Sequence, residues 1–460
     1  MALIHRQHAK EIWQAGVDAV RSDTLVRRCI SIHGDSLSIC GRQFDTRRVG
    51  RIEIVGAGKA GAGMAAGAVE ALGTLSESVS LSGWVNVPED CVRQIPYVHL
   101  HAARPAGLNE PTPEGVAGTK EILQRVSSLS ADDICLVLIS GGGSALLPCP
   151  SAPFSLNDKL LVTQFLAAAG APIQELNQVR SQMSEVKNGG LLRHCRAGVV
   201  ITLIISDIVD DPVHLIASGP TVIGPSDVRS VIQIAERYDP ARTELPSVFY
   251  ESMAARITAC IDRQRPDRPM PESIVKVIGS NADALAAALQ QAEKLGYTSV
   301  SLGSNSVGEA RRHGQFLRER LRSAMISEIA DVNTSGICFV AGGETTVRLT
   351  GSGERGRGGR NQEVVLGAIA TCQDLDQWSD IVLLSGGTDG EDGPTDAAGA
   401  IADSAVIRAM IDQDLSPESY LSRNDAYSFF AATNGLLMTG PTHTNVMDVA
   451  VGIRFFRSVG

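Results

Sequence analysis

The stretch ICLVLISGGGSALL, residues 134–147, carries the fold prediction for this chain. Its first half is an uninterrupted apolar run, which then meets three glycines and Ser144. A strand that is apolar at every position is typical of a strand covered on both faces, as in a parallel sheet. Loops at the carboxyl ends of such strands form the ligand crevice of open α/β sheets.

The same pattern of an apolar strand ending in a polar or glycine-rich loop recurs along the chain. Five further strands of this kind are predicted, at residues 51–55, 199–206, 273–280, 337–341 and 381–385. Segments rich in Ala and Leu, such as 281–295 and 361–371, separate them and have helical composition. This alternation predicts an α/β fold with two largely parallel sheets flanked by helices.

The chain of 460 residues exceeds the size at which a single hydrophobic core stops growing. The best linker is RQRPDRPMPE at 263–272, which has three prolines and no apolar periodicity. We therefore predict one domain at 1–265 and a second at 273–460.

Composition narrows the class of protein. The net charge of −10 argues against general nucleic-acid binding, which depends on Lys and Arg. The nine cysteines form no CxxC pair and the charged N-terminus has no signal-peptide core, so we expect a reducing, cytoplasmic location. No apolar run is long enough for a transmembrane helix, and no membrane partner is expected. The oligomeric state is left open between monomer and homodimer.

The loop GAGKAG at 56–61 fits GxGxxG after a strand. A dinucleotide site needs an acidic residue closing the next strand, but that predicted strand, 78–87, ends in Val-Pro before Glu89. Gly58 and Lys59 therefore favour binding of a phosphate or carboxylate. A dinucleotide site and simple tight packing remain the alternatives.

Gly141, Gly142 and Gly143, followed by Ser144, present consecutive backbone N–H groups at a predicted helix start, a place where anions bind. A serine hydrolase is the competing function, but the second glycine of GxSxG is missing. A steric need for glycine at a sharp turn is the other alternative.

The segment LNQVRSQMSEVKNGG at 176–190 predicts a helix ended by glycines. Asn177, Arg180, Ser184 and Lys187 share one face, which carries cations, amides and hydroxyls without the Glu/Lys pairs of an exposed helix. This face is predicted to bind an anion, with a solvated helix face as the alternative.

Two loops carry carboxylates directly after predicted strands. Asp207 opens SDIVDDP at 206–212, and Asp389 lies in GGTDGEDGPTD at 386–396. Magnesium takes oxygen ligands, commonly one or two carboxylates together with substrate phosphates. Asp207 and Asp389 are therefore the predicted metal ligands, and a turn or helix cap is the alternative reading.

Glu344 and Thr345 follow the predicted strand at 337–341, and an arginine-glycine tract at 351–360 comes next, ending in Arg360. Arginine matches phosphate and carboxylate oxygens in a bidentate fashion, so the tract is predicted to cover an anion site. There is no Walker loop and no protein-kinase HRD or DFG motif.

Taken in order, these motifs resemble the class II glycerate kinase family, which has a C-terminal MOFRL domain. The matching stretches are GAGKAGAGMA (56–65), LISGGGSALL (138–147), LNQVRSQMSEVKNGGLL (176–192), SDIVDDPVHLIASGPT (206–221), GGETTV (342–347), GRGGRNQE (356–363), GTDGEDGPTDAAGA (387–400) and TGPTHTNVMD (439–448). The likeness runs from near residue 8 to about residue 450.

The resemblance implies phosphorylation of D-glycerate at its 2-hydroxyl, dependent on ATP and Mg²⁺, by a Rossmann-like domain and a MOFRL-type domain with the active site in the cleft between them. It implies that Lys59 and Arg360 are catalytic. The ligand-binding residues expected from the motifs and the resemblance together are Gly58, Gly141, Gly142, Gly143, Ser144, Asn177, Arg180, Lys187, Asp207, Glu344, Thr345, Asp389 and Asn445.

The chain departs from the family pattern at two places. Ala103-Arg104-Pro105 stands where Gly-His-Pro is usual, and His443 replaces a glycine. Two rival functions are an NAD(P)H-dependent hydroxypyruvate reductase, suggested by GAGKAG, and a metabolite-sensing module that binds without releasing ADP.

Overall fold

The computed structural model describes residues 2–76, 78–107, 110–224, 227–258, 269–324, 334–351, 353, 355–370 and 374–456. Most of the predicted linker at 263–272, up to residue 268, lies outside the described residues.

Helices and strands alternate along most of the described chain. The helices are α1 (Ala2–Ala19), α2 (Ser22–Arg28), α3 (Gly61–Leu72), α4 (Pro113–Ser127), α5 (Gly143–Leu146), α6 (Leu156–Ala168), α7 (Ile173–Gln182), α8 (Gly190–His194), α9 (Val228–Tyr238), α10 (Ser247–Thr258), α11 (Asn281–Lys294), α12 (Ala310–Ser323), α13 (Arg360–Ile369), α14 (Ser404–Asp412), α15 (Pro417–Ser422) and α16 (Ala426–Ala432). The strands are β1 (Ile30–His33), β2 (Ser36–Ile39), β3 (Arg42–Asp45), β4 (Arg51–Ala57), β5 (Ser80–Pro88), β6 (Val98–Arg104), β7 (Ile134–Ile139), β8 (Val199–Ile205), β9 (Glu272–Gly279), β10 (Thr298–Ser301), β11 (Gly336–Gly343), β12 (Ile381–Gly387), β13 (Gly399–Ala402), β14 (Leu436–Leu437) and β15 (Asp448–Phe455).

The chain divides into two compact units. The N-terminal unit comprises Ser22–Ser206 and Asp211–Ile278. The C-terminal unit comprises Gly279–Gly460 together with Met1–Arg21 and Asp207–Asp210.

The N-terminal unit is built on a six-stranded sheet with the order β6-β5-β4-β7-β8-β9, beside a small antiparallel sheet β1-β2-β3. The pairs from β6 to β8 are all parallel. The chain winds outward from β4 in one direction and from β7 in the other, so the strand order switches between these two strands. Ligands bind outside the carboxyl ends of strands at such a switch point.

The C-terminal unit has a six-stranded sheet with the order β10-β11-β15-β12-β13-β14. This sheet is mixed: β10 pairs parallel with β11, whereas β15 runs antiparallel between β11 and β12, and β13 is antiparallel to both neighbours. The α/β class is confirmed, but the prediction that the second sheet is largely parallel is wrong. Helices cover both faces of this sheet too, so its antiparallel strands are buried along their length and show no apolar alternation.

The two compact units divide the chain at different residues from the predicted segments. Helix α1 belongs to the C-terminal unit: its Trp13 is 1% exposed and donates from Nε1 to the carbonyl of Gly386 at 3.2 Å. His5 of the same helix stacks on Phe455 with ring centroids 3.9 Å apart. Strand β9 is the last strand of the N-terminal sheet.

A helical layer of the N-terminal unit packs around its own apolar cluster. Helices α6, α7, α9 and α10 contribute buried residues to it: Val162, Leu166, Leu176, Val179, Val231, Ile234, Phe249 and Met253. This layer fixes α6 and α7, which carry two of the cations described below, Lys159 and Arg180. None of the helices among the described residues has the length and apolarity needed to cross a bilayer.

Candidate active site

The Lys59 loop follows β4 at the switch point of the N-terminal sheet. Gly58 has φ of +147°, and a Cβ there would lie 2.0 Å from Ser140 Oγ, so only glycine fits. Lys59 donates its backbone N–H to the carbonyl of Gly141 at 2.9 Å, and the Ala60 N–H bonds Ser140 Oγ at 3.0 Å. The loop after β4 is thereby tied to the loop after β7.

The glycine loop at 141–143 lies beside the Lys59 side chain. Gly142 has φ of +75°, and a Cβ there would lie 3.5 Å from Lys59 Cγ and 3.8 Å from Arg104 Nη2. Arg104, which stands where the family pattern has histidine, is 4% exposed. Two basic side chains therefore flank Gly142, and they favour an anion at this loop.

A hydroxyl and cation cluster, the Ser144 cluster, lies next along the chain and comprises Ser144, Arg180, Lys187 and Ser218. Lys187 Nζ bonds Ser144 Oγ at 2.5 Å and Ser218 Oγ at 3.1 Å. Arg180 Nη2 donates to Ser144 Oγ at 2.8 Å, and the two serine oxygens are 3.2 Å apart. Asn177 Oδ1 lies 3.5 Å from Arg180 Nη1, at the limit of a hydrogen bond.

The predicted single helix at 176–190 is wrong in extent, although two of its basic residues, Arg180 and Lys187, both contact Ser144. Helix α7 ends at Gln182, and α8 begins at Gly190. Between these helices the backbone forms hydrogen bonds to other segments. The Glu185 N–H donates to the Cys149 carbonyl at 2.9 Å, and the Asn188 N–H donates to the Ser218 carbonyl at 2.9 Å. These tertiary bonds replace helical ones, and no local pattern in the segment indicates them.

Ser218 was missed by the sequence reasoning as a site residue. Ala217, Ser218 and Gly219 all have positive φ, at 49°, 62° and 60°. At the non-glycine residues Ala217 and Ser218 this conformation is strained, and such strain is concentrated at functional sites. The only sequence feature that could have indicated Ser218 is the motif IASGPT. This motif contributes to the family resemblance but does not indicate a chemical role for its serine.

In the C-terminal unit, Arg360 is the first residue of α13 and is held by two carboxylates. Its Nε and Nη2 donate to Asp448 at 2.6 and 3.0 Å, and its Nη1 lies 2.8 Å from Glu344 Oε1. Burial lowers the pKa of Arg360, but Asp448, Glu344 and Asp392 outweigh it and the net pKa is raised. The guanidinium is a fixed, permanent cation. Asp448 was not among the predicted residues.

Asp392 caps the start of α13. Its carboxylate accepts the N–H groups of Asn361 at 3.0 Å and Gln362 at 2.8 Å. Burial raises the pKa of Asp392 to about 7, while these N–H donors act in the opposite direction. The cap thus fixes the helix end that carries Arg360.

A small pocket, about the size of one water molecule, lies beside Arg360's partner Asp448 and is lined by Ser306, His313, Gly343, Thr345, Asn361 and Ser385, together with Ala341, Val364 and Ala450. The predicted residue Thr345 is 5% exposed, and its Oγ1 has no hydrogen-bond partner among the described residues. The pocket therefore combines apolar walls with a few polar groups, one of which is the unbonded Thr345 hydroxyl.

Asp389 and Asn445 lie on neighbouring loops of the C-terminal unit. The Asp389 carbonyl accepts the Thr442 N–H at 3.2 Å, and Thr388 Oγ1 both donates to the Met447 carbonyl and accepts the Val446 N–H. His443, which replaces the family's glycine, has φ of 61°, which explains why glycine suits this position.

Asp207 lies two residues after the end of β8 and is assigned to the C-terminal unit, as is Asp389. Among the residues that the structure describes, no group of three or more His, Cys, Asp and Glu side chains is arranged to hold a metal. Magnesium bound largely through substrate phosphates requires no such cage.

The predicted residues thus form two sets. Gly58, Lys59, the glycine loop, Ser144, Arg180 and Lys187 surround the strand ends of the N-terminal sheet, with Asn177 beside Arg180. Arg360 and Glu344 are brought into contact in the C-terminal unit, which also carries Thr345, Asp389 and Asn445. The joint action of Lys59 and Arg360 stays a prediction.

Comparison with protein-family models gives two matches. Residues 8–253 match DUF4147, described as a domain of unknown function, and residues 337–448 match the MOFRL family. The chain is 35% identical to human glycerate kinase, over 96% of this chain and 92% of that protein. The chain belongs to the glycerate kinase family.

Other members of the family support this assignment. The glycerate 2-kinase of Pyrococcus horikoshii is 32% identical over 93% of this chain and 92% of its own length. The crystal structure of glycerate kinase from Thermotoga maritima superposes with a TM-score of 0.78 at 28% identity, covering 97% of this chain and 99% of that one. This member of the glycerate kinase family is accordingly an enzyme, a kinase.

Proposed function

We propose that this protein phosphorylates D-glycerate at its 2-hydroxyl, using ATP and Mg²⁺, and releases 2-phosphoglycerate and ADP. The observation that carries the proposal is the bond from the Lys59 amide to the Gly141 carbonyl. It fixes a lysine beside a glycine loop at the switch point of a parallel sheet, where an anionic ligand is expected. The names of the relatives supply the substrate, glycerate.

Phosphoryl transfer needs alignment and positive charge more than covalent chemistry from the protein. The glycerate 2-oxygen forms a bond to the γ-phosphorus while the bond from phosphorus to the ADP oxygen breaks, and the hydroxyl proton leaves to a base. Lys59 and Arg360 are proposed to stabilise the charge on the transferred group or on the glycerate carboxylate.

The carboxylates are assigned supporting roles. Asp207 and Asp389 follow strand ends and offer oxygen ligands, the donor type that Mg²⁺ requires. A bound Mg²⁺ would neutralise phosphate charge. Glu344, whose side chain is 48% exposed and paired with Arg360, is proposed to orient the guanidinium or the substrate hydroxyl.

The test is a coupled assay with D-glycerate, ATP and Mg²⁺, in which enolase is added and phosphoglycerate mutase is omitted. Because enolase accepts the 2-phosphate ester, formation of phosphoenolpyruvate reports both transfer and its position. ADP release without an enolase signal would contradict the 2-position. Oxidation of NADH by hydroxypyruvate without ATP would instead support the reductase.

A further inference from the structure

Lys159 is a buried cation to which the reaction described above gives no role. It lies in the first turn of α6 and is 3% exposed, and its Nζ has no hydrogen-bond partner among the described residues. A capping box formed by Ser155 and Asp158 fixes this turn. A buried ammonium without a partner is unfavourable, so its retention calls for an explanation.

The surroundings of Lys159 are cationic. Burial, and then Arg180, lower the pKa of Lys159 to about 7, and the Cys149 thiol opposes this shift. Burial, Arg180 and Lys159 together lower the pKa of Lys187. Within the described residues, none of these three side chains forms an ion pair with a carboxylate. The charged forms of these groups are therefore unfavourable in the protein alone, and a bound anion would favour them.

The Ser144 cluster has an excess of hydrogen-bond donors. Ser144 Oγ already accepts from Lys187 and Arg180, and Ser218 Oγ accepts from Lys187. An ammonium has three donors and a guanidinium five, whereas each hydroxyl offers two acceptor sites. Some N–H donors of Arg180 and Lys187 therefore have no acceptor within the cluster. A ligand rich in acceptor oxygens would accept hydrogen bonds from them.

The backbone holds these groups in place before any ligand arrives. The segment carrying Lys187 is bonded to the Cys149 carbonyl on one side and to the Ser218 carbonyl on the other. Ser218 is held in a left-handed conformation between two further left-handed residues. Ser144 and Arg180 are only half-buried, so a ligand can reach the cluster from solvent.

We propose that Lys159 and the Ser144 cluster together form a receptor for a phosphoryl dianion. Three cations without carboxylate partners exceed what a single carboxylate would neutralise, and they match the charge and oxygen count of a phosphoryl group. The inference rests on the proposed function for its ligand, which is either a phosphate of the nucleotide or the phosphate of 2-phosphoglycerate.

The test compares wild-type enzyme with Lys159→Met in binding experiments that need no turnover. Calorimetry measures the dissociation constants of inorganic phosphate, ADP, 2-phosphoglycerate and D-glycerate. We expect phosphate to bind about 10- to 100-fold more weakly to the variant, the usual effect of losing one charged hydrogen bond. The phosphate-bearing ligand that weakens in parallel, ADP or 2-phosphoglycerate, identifies the source of the phosphoryl group.

The matched control is Lys276→Met, which removes an exposed lysine from β9 of the same unit and should leave all four constants unchanged. Unchanged phosphate affinity in Lys159→Met, or a loss confined to D-glycerate, overturns the receptor. If Lys159→Met does not fold, Ser218→Ala is measured instead, with the same expected weakening and the same contradicting result. Wild-type turnover is assayed separately, so a failure of the kinase proposal remains distinguishable from a failure of the receptor.

Discussion

At the residue scale, the cations of the two units differ in how their charge is compensated. In the N-terminal unit, Arg180 and Lys187 bond hydroxyl and amide groups, and Lys159 Nζ has no hydrogen-bond partner among the described residues. Arg360 of the C-terminal unit instead forms ion pairs with Asp448 and Glu344. An uncompensated cation is suited to holding a bound anion. A cation held by carboxylates keeps its orientation, which suits a group that must meet a transition state in one geometry.

Replacing Arg360 tests its catalytic role. We expect Arg360→Ala to lower turnover by about 10³- to 10⁵-fold, the range for an arginine that stabilises this transition state. The measurement is kcat in the enolase-coupled assay. Arg312→Ala removes an exposed arginine of α12 in the same unit and should leave turnover unchanged. A folded Arg360→Ala enzyme with turnover close to wild type would remove Arg360 from the mechanism.

The two glycines of the strand-end loops should differ in their tolerance of alanine. At Gly58 a Cβ would lie 2.0 Å from Ser140 Oγ, but at Gly142 the nearest atom, Lys59 Cγ, is 3.5 Å away. Gly142→Ala therefore meets only backbone strain, about 1–2 kcal/mol, and Gly58→Ala should lose more. Urea unfolding of both variants measures the difference, and equal losses would contradict it.

Part of the candidate site could be predicted from the sequence because glycine runs and basic residues mark it directly. Lys59, Ser144, Arg180 and Lys187 all lie at the N-terminal strand ends as expected. Ser218 and Asp448 could not be found in this way. The first depends on three left-handed residues in a loop, and the second on a strand pairing from the far end of the chain.

At the element scale, continuous apolar runs identified strands reliably but not their direction. The six strands predicted from apolar runs correspond to β4, β7, β8, β9, β11 and β12, and the strand predicted at 78–87 corresponds to β5. Burial on both faces gives the same sequence pattern whether the neighbour is parallel or antiparallel. The sequence of β11 and β12 therefore does not indicate that β15 lies antiparallel between them.

The cap of α13 gives a prediction for the dependence of stability on pH. Because the pKa of Asp392 is raised to about 7 on folding, the folded state binds more protons than the unfolded state from about pH 4 to 7. This contribution to the free energy of unfolding is present at low pH and is lost as the pH rises. We expect Asp392→Asn to remove this slope, at most about 1.4 kcal/mol per pH unit.

The measurement is urea unfolding of wild type and Asp392→Asn at several pH values between 4 and 8. Asp403→Asn, which weakens a similar aspartate cap on α14, controls for loss of a cap as such. Parallel stability profiles for wild type and Asp392→Asn across this range would show that the carboxyl group titrates normally.

At the scale of the whole molecule, two elements do not belong to the domain in which their position along the chain would place them. Helix α1 belongs with the C-terminal unit, and β9 extends the N-terminal sheet beyond the proline-rich segment. Composition marked the segment at 263–272, but proline content shows where a chain breaks regular structure and not which elements pack together. The apolar residues of α1 are compatible with packing on either unit, so the sequence could not assign it.

Trp13→Ala distinguishes the observed grouping from a domain that would span residues 1–265. Loss of a fully buried tryptophan removes about 3–5 kcal/mol of stability, and Trp13 packs only on elements of the C-terminal unit in the contacts described above. Hydrogen exchange followed peptide by peptide should therefore show weaker protection in β11, β12 and β15, with β4 and β7 unchanged.

Trp84→Ala, in β5 of the N-terminal unit, is the matched control and should give the reverse pattern, since Trp84 stacks on His99 and lies under Arg125. Faster exchange of β4 and β7 in Trp13→Ala, with the C-terminal strands unaffected, would place α1 in the N-terminal unit instead.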